Sequence, residues 1–119
     1  MSTVKFNTWQ NTDGTENYKC RAWVNFNGQG TVAIRESGNV SSITDNNTGD
    51  YTVNFQSAMP DINYSVGGSS CENFGGALSD HQGFTLHRIG FNTGSFRCNT
   101  TSSVGSASDH IQVCASVFR

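Results

Sequence analysis

The sequence predicts an all-β fold, a compact antiparallel β-sandwich of jelly-roll or Greek-key type, and three observations carry that prediction. Apolar residues recur with a period of two along almost every patterned stretch, as strands with one buried face require. Clusters of Asn, Asp, Gly and Ser break those stretches about every ten residues, which suits about seven to nine short strands. Nothing longer than a turn or two holds the helical period of 3.6 residues. At 119 residues the chain fits one domain, 1–119, long enough to bury roughly two thirds of the surface its unfolded form exposes. Residues 1–18 read as an N-terminal segment, extended or docking, ahead of the first strand.

The first strand covers Arg21 to Phe26, with Ala22, Val24 and Phe26 on one face and Arg21, Trp23 and Asn25 on the other. The glycines of Asn27-Gly28-Gln29-Gly30 permit positive φ and turn the chain into Thr31 to Arg35, where Val32 and Ile34 alternate with Thr31, Ala33 and Arg35. That pair predicts a β-hairpin. A third strand near Val40 to Thr44 and a fourth from Tyr51 to Phe55 flank a longer loop, Asp45 to Asp50, and predict a second hairpin. Pro60 lacks an amide proton and biases Met59 toward extended geometry, so Ala58 to Asp61 reads as a corner. A fifth strand follows from Ile62 to Gly67, and Gly68 to Asp80 reads as a polar connection. Gly83 to Ile89, Ser95 to Thr100 and Ile111 to Phe118 alternate again, the last aligning Ile111, Val113, Ala115 and Val117. The polar loop Thr101 to Asp109 joins the final two strands.

Only 34% of the residues are apolar and 13% charged, so solubility rests on Asn, Ser, Thr and Gly. A net charge of -2, a pI near 5.8 and seven scattered Lys and Arg residues make no basic stripe, which argues against nucleic-acid binding. No apolar run nears the ~20 residues of a membrane span, so no membrane insertion is expected. Met1 to Gln10 lacks the apolar stretch of a secretory signal, and synthesis in a cytosol without signal-dependent export is expected. The four cysteines, Cys20, Cys71, Cys98 and Cys114, form no CxxC pair, and none of His81, His87 and His110 supplies the missing partner of a zinc site. Reduced thiols are expected, with Cys98 and Cys114 as small apolar residues inside strands, and no metal or other cofactor is implied. Under full oxidation three pairings stay open.

Candidate chemistry is thin. Asp45, Asp50 and Asp61 are carboxylates of the kind a glycoside-cleaving pair uses, but each lies in a turn segment, where Asp bonds the local backbone. In Asp45 to Asp50 the glycine falls at the fifth position of a calcium-loop pattern that wants it at the sixth. Adjacent Ser79-Asp80-His81 cannot converge as a triad. Asn39, Asn46, Asn63 and Asn99 each open an Asn-X-Ser/Thr triplet, which chance supplies in a chain so rich in these residues. No enzyme is predicted. Trp9, Trp23, Tyr18, Tyr51 and Tyr64 offer another role, because flat rings with a polar tip stack on sugars, anchor interfaces or fill cores.

The runs Cys20-Arg21-Ala22-Trp23-Val24-Asn25-Phe26-Asn27-Gly28, Gly30 to Arg35, Ser37 to Asp45, Gly49-Asp50-Tyr51-Thr52-Val53-Asn54-Phe55 and Ala58-Met59-Pro60-Asp61 resemble a segment of phage tail-fibre and other phage virion proteins. The likeness extends more weakly through Trp9-Gln10-Asn11 and Gly14-Thr15 and fades after Tyr64. It implies a virion structural protein assembled in a host cytoplasm, fibre-knob-like in fold, a homotrimer, with other virion proteins as partners. Few residues precede the segment, so a free-standing virion subunit is expected. The resemblance assigns Cys20 to Asp61 as scaffold, with Trp23, Phe26, Tyr51 and Phe55 as scaffold or interface residues, and leaves recognition to the second half. Two functions are expected. One is a receptor-binding subunit that touches a host cell-surface glycan or protein through the loops Ser69 to Gln82 and Thr101 to Asp109, with Phe74 and His81 as receptor-binding residues. The alternative is a capsid or tail decoration protein with an architectural, cementing role.

Overall fold

The period-two patterning resolves into eight strands in a computed structural model that describes residues 1–15, 18–72, 83–87 and 89–119. They are β1 (Cys20–Asn27), β2 (Ala33–Gly38), β3 (Val40–Asn47), β4 (Asp50–Phe55), β5 (Ser65–Cys71), β6 (Gly83–Leu86), β7 (Ser95–Thr101) and β8 (Gln112–Phe118). Two antiparallel four-stranded sheets, β2-β1-β8-β5 and β3-β4-β7-β6, pack against each other, and no helix occurs among the described residues. β5 and β6 come together at one pair of sheet edges. Followed round that edge, the spatial order β8-β5-β6-β7 is a Greek key.

The core is drawn from the inward positions of the central strands. Ala22, Val24 and Phe26 of β1 and Val113, Ala115 and Val117 of β8 face Tyr51, Val53 and Phe55 of β4 and Phe96 and Cys98 of β7. Aromatic edges hold the layers together: Phe26 meets Tyr51 at 5.2 Å and Phe55 meets Tyr64 at 5.6 Å between ring centroids, both edge-on, a geometry the ring quadrupole favours. Of the residues assigned as scaffold or interface, Phe26, Tyr51 and Phe55 thus lie in the core, whereas Trp23 points outward and keeps 42% of its surface exposed. Cys98 is fully buried and Cys114 half-buried on the outward side of β8.

The chain changes sheets at Asn39, between β2 and β3. Its backbone holds φ at 54°, a region that Asn tolerates better than most residues. Its side-chain amide donates to the carbonyls of Arg21 and Ser57 at 3.1 Å each, and Oδ1 accepts the Ser57 N–H at 2.7 Å. The Asn39 triplet therefore has a structural use.

Two sequence expectations shift. The second hairpin turns at Thr48 and Gly49 alone, because Asn47 pairs with Asp50 and the strands run on past the predicted loop. Asp50 is stable on a strand because Arg97 of β7 clamps it, and Gly49 supplies the positive φ of 61°. The fifth strand begins at Ser65 rather than Ile62. Asp61 accepts the Asn63 N–H at 2.8 Å in a local turn and leaves Ile62 exposed, while the Gly68-Ser69-Ser70 run read as a connection continues edge strand β5. Pairing with β8 overrides its poor intrinsic propensity, and inward Gly68 leaves the space that the Phe84 ring occupies.

Candidate functional site

An open hollow beside an exposed ring, rather than residues with chemistry, distinguishes one surface of the sandwich. On the outer face of the β3-β4-β7-β6 sheet most of the described long polar side chains are tied to a neighbour, although His87 Nδ1, beside Arg97, is buried with no hydrogen-bond partner. Asn54 donates to Ser42 Oγ at 3.1 Å and Thr44 Oγ1 at 2.9 Å, Asn46 donates to Thr52 Oγ1 at 2.9 Å, and Arg97 Nε donates to Asp50 Oδ1 at 2.7 Å. The Arg97 guanidinium holds the Asp50 carboxyl below the usual carboxylate range. Cross-strand pairs of this kind stabilise a sheet and leave little for a partner to bond.

The outer face of the other sheet is different. Register places Trp23 beside Ser116 and Ser116 beside Gly67 in one row, and Asn25 beside Cys114 and Cys114 beside Ser69 in the next. Because these neighbours are small, the sheet backbone lies open and Trp23 borders a depression of about 650 Å³. A smaller hollow of about 190 Å³ shares Ser69 and Cys114 with it and continues to Gln112 and Cys71. On its other flank the indole overlies Gly38 of β2, where a Cβ would come within 2.5 Å of Nε1 and 2.9 Å of Cδ1. Oδ1 of Asn25 is buried with no hydrogen-bond partner. An unmatched acceptor costs about 1–3 kcal/mol, and because this one is buried, nothing entering the depression reaches it without rotation of the amide. The residues bordering the main depression include no Asp, Glu, Lys or Arg; exposed Glu36, the β2 partner of Asn25, is a charge on its rim.

A polar clasp fixes one end of the sandwich. The Tyr51 hydroxyl donates to Asp109 Oδ1 at 2.7 Å, the Gly49 N–H donates to the same oxygen at 2.8 Å, and the Gly28 N–H donates to the His110 carbonyl at 2.8 Å. Gly28 must lack a Cβ because the Tyr51 hydroxyl occupies that space, and a Cβ on Gly49 would stand 2.8 Å from the Ser108 nitrogen. Burial, helped by Asp109, pushes the Tyr51 pKa upward. His110 beside it is fully buried, and burial lowers its pKa against the pull of Glu72 and a backbone contact at Thr101.

Phe74 and His81 lie outside the described residues, as does most of the loop that carries them. In the second expected recognition loop, Ser102 N–H donates to Ser106 O at 2.8 Å and Asp109 belongs to the clasp, so its ends are fixed and Val104 at its tip is 83% exposed. Trp9 and Tyr18 are exposed and Tyr51 and Tyr64 buried. Burial raises the Tyr64 pKa, and its hydroxyl lies 2.8 Å from the carbonyls of both Asn92 and Ser95. The three candidate carboxylates do not converge: Asp50 is clamped by Arg97, Asp61 forms a paired contact with Arg119 at 2.7 and 2.8 Å, and Asp45 is on β3. No group of three or more metal-ligating side chains occurs among the described residues, and Cys20, Cys98 and Cys114 are free thiols. Residues 1–15 carry exposed Val4, Phe6 and Trp9, the last two in an edge-on pair at 6.0 Å.

Sequence reasoning had placed Trp23 and Asn25 on one face but missed Gly38, Gly67, Ser69 and Ser116, because the strands that carry them become neighbours only through distant pairing. Comparison with protein-family models, curated proteins and solved structures gave no match.

Proposed function

We propose that the chain is a non-enzymatic, tail-fibre-like subunit of a phage virion that adheres to a host surface through the outer face of the β2-β1-β8-β5 sheet. The observation that carries this reading is the open, Trp23-bordered depression, lined beside the ring by small residues, Gly67, Gly68, Ser69, Cys114, Ala115 and Ser116. The resemblance of Cys20 to Asp61 to virion segments supports the setting. The separation of Asp45, Asp50 and Asp61 supports binding over hydrolysis. Exposed Val4, Phe6 and Trp9 support self-association, and a homotrimer is the form proposed. The same arm gives the decoration-protein reading its one specific support, since an apolar arm also suits clamping a lattice.

The test has two measurements. Imaging of the intact particle is expected to trace this chain at the distal end of the tail, and purified protein is expected to block attachment of phage to host cells. A chain found on the capsid lattice, with attachment unaffected by the purified protein, would replace adhesion by the architectural role.

A further inference from the structure

Trp23 is an aromatic ring held in place but left half open. It sits on Gly38, the one kind of residue that admits an indole so close to the sheet, and it keeps 42% of its surface in contact with solvent. A core residue would be covered, and a surface tryptophan without a seat would sample several rotamers at an entropic cost to any partner. The depression beside it lies within the range of about 300–1,000 Å³ found for small-ligand sites. The adjoining hollow past Ser69 and Cys114 lengthens it.

The chemistry on offer is narrow. There is one flat apolar face, hydroxyls at Ser69 and Ser116, and no cation among the bordering residues. An anionic ligand would meet no cation among the bordering residues, Glu36 on the rim and a net charge of -2 on the chain, with exposed Arg21 two residues before Trp23 as the cation of that face. An apolar ligand would cover the Ser69 and Ser116 hydroxyls without bonding them. What satisfies all of these features is a ring with one C–H-rich face and hydroxyls around its edge.

We infer that this trough binds an uncharged pyranose of a surface oligosaccharide, with the sugar ring stacked on Trp23 and sugar hydroxyls bonding the Ser69 and Ser116 hydroxyls. The inference rests on the adhesive reading above and names its ligand class. Two sugar rings fit the argument better than one, because the hollow at Cys71 and Gln112 continues the trough away from Trp23 across β8 and β5. Gly38 is a positioning residue: any side chain there displaces the indole.

The experiment uses the full chain on an array of immobilised neutral hexose and deoxyhexose oligosaccharides, with matching uronate- and sialate-bearing ones alongside. Binding is expected within the neutral set. Trp23→Ala should weaken it by about tenfold or more, equivalent to roughly 1.4 kcal/mol, and Gly38→Ala should weaken it while leaving the Trp23 ring present. Trp9→Phe should bind as the parent does, and its single remaining tryptophan should shift in emission on adding a bound sugar. Thermal melts of each variant separate lost binding from lost fold. Exclusive binding of the anionic set, or neutral binding that survives both Trp23→Ala and Gly38→Ala in folded protein, would overturn the inference. So would a change of oligomeric state in Trp23→Ala by light scattering, since Trp23 would then belong to a contact between copies. If no sugar binds yet the purified protein still blocks phage attachment, the trough inference falls and the adhesive reading stands.

Discussion

On one outer face of the sandwich Asn54, Asn46 and Arg97 spend their donors on Ser42, Thr44, Thr52 and Asp50; on the other, Trp23 stands over Gly38 and Asn25 Oδ1 has no donor. Both faces are polar in composition, and the more polar of the two is the less suited to recognition. Most of its described groups, His87 Nδ1 excepted, already satisfy each other, so a ligand could gain bonds to them only by breaking others. The sparser face has small residues, an exposed ring and an unmatched acceptor. An open hollow beside an exposed ring, not polarity, marks the surface that a partner can use.

Both faces depend on the clasp that joins their ends, and breaking it should have the largest effect. Gly49→Ala forces a Cβ toward Ser108 and into a φ of 61°. It is expected to cost about 3 kcal/mol or more, read as a lower urea midpoint. An unchanged midpoint would show that the clasp carries no stability and that the faces are independently held.

Acid should act next, in two stages. Burial keeps the His110 pKa below its ordinary 6.5, so the unfolded chain takes up that proton first. Stability is then full above about pH 6.5 and falls as the pH drops toward the folded-state value, by at most about 1.4 kcal/mol per pH unit for one proton. The carboxyls of Asp50 and Asp61, held down by Arg97 and Arg119, add a second loss below their ordinary value of 3.8. A melting temperature measured at successive pH values should show both, and His110→Phe should remove only the first. A flat profile between pH 7 and 5 would contradict the burial of a neutral His110.

The comparison itself is sharpened by reciprocal changes. Asn54→Ala should lower stability by about 1 kcal/mol and leave sugar binding intact, whereas Trp23→Ala should remove binding and change stability by less than about 1 kcal/mol. Urea melts beside array signals check both, and equal effects of the two variants would erase the distinction between the faces.

Cysteine labelling should give the smallest perturbation. Cys20 is exposed and should alkylate first, while Cys98 is buried with its pKa pushed up to about 12 and should react only on unfolding. Cys114 borders the depression, so a bound oligosaccharide should slow its labelling relative to Cys20. Reductant should leave the melting temperature within a few degrees, since removal of a native disulfide typically costs several kcal/mol.

Much of the fold was legible because period two is a local property. Ala22, Val24 and Phe26, and likewise Tyr51, Val53 and Phe55, reveal their buried face within a few residues of chain. Strand β5 was legible only at its start, Ser65 to Gly67, because Gly68, Ser69 and Ser70 have no strand preference of their own and acquire one by pairing with β8. The trough was half legible. Trp23 and Asn25 alternate visibly, but what lies beside them depends on the pairings of β1 with β8 and β8 with β5, which no local pattern encodes. Asp109 is the clearest case, since nothing near it in sequence announces a bond to Tyr51.

Strand β8, taken from the far end of the sequence, lies between β1 and β5 and pairs with both. Time enters here. The β1–β2 and β3–β4 hairpins can form early, but the sheet that carries the trough stays split until residues 112–118 arrive, and contacts across so long a separation close slowly. In that interval β1 presents an unpaired edge to other nascent chains. A neighbour's β8 fits that edge as well as the chain's own, so strand exchange between copies, rather than simple precipitation, is the characteristic error of this topology.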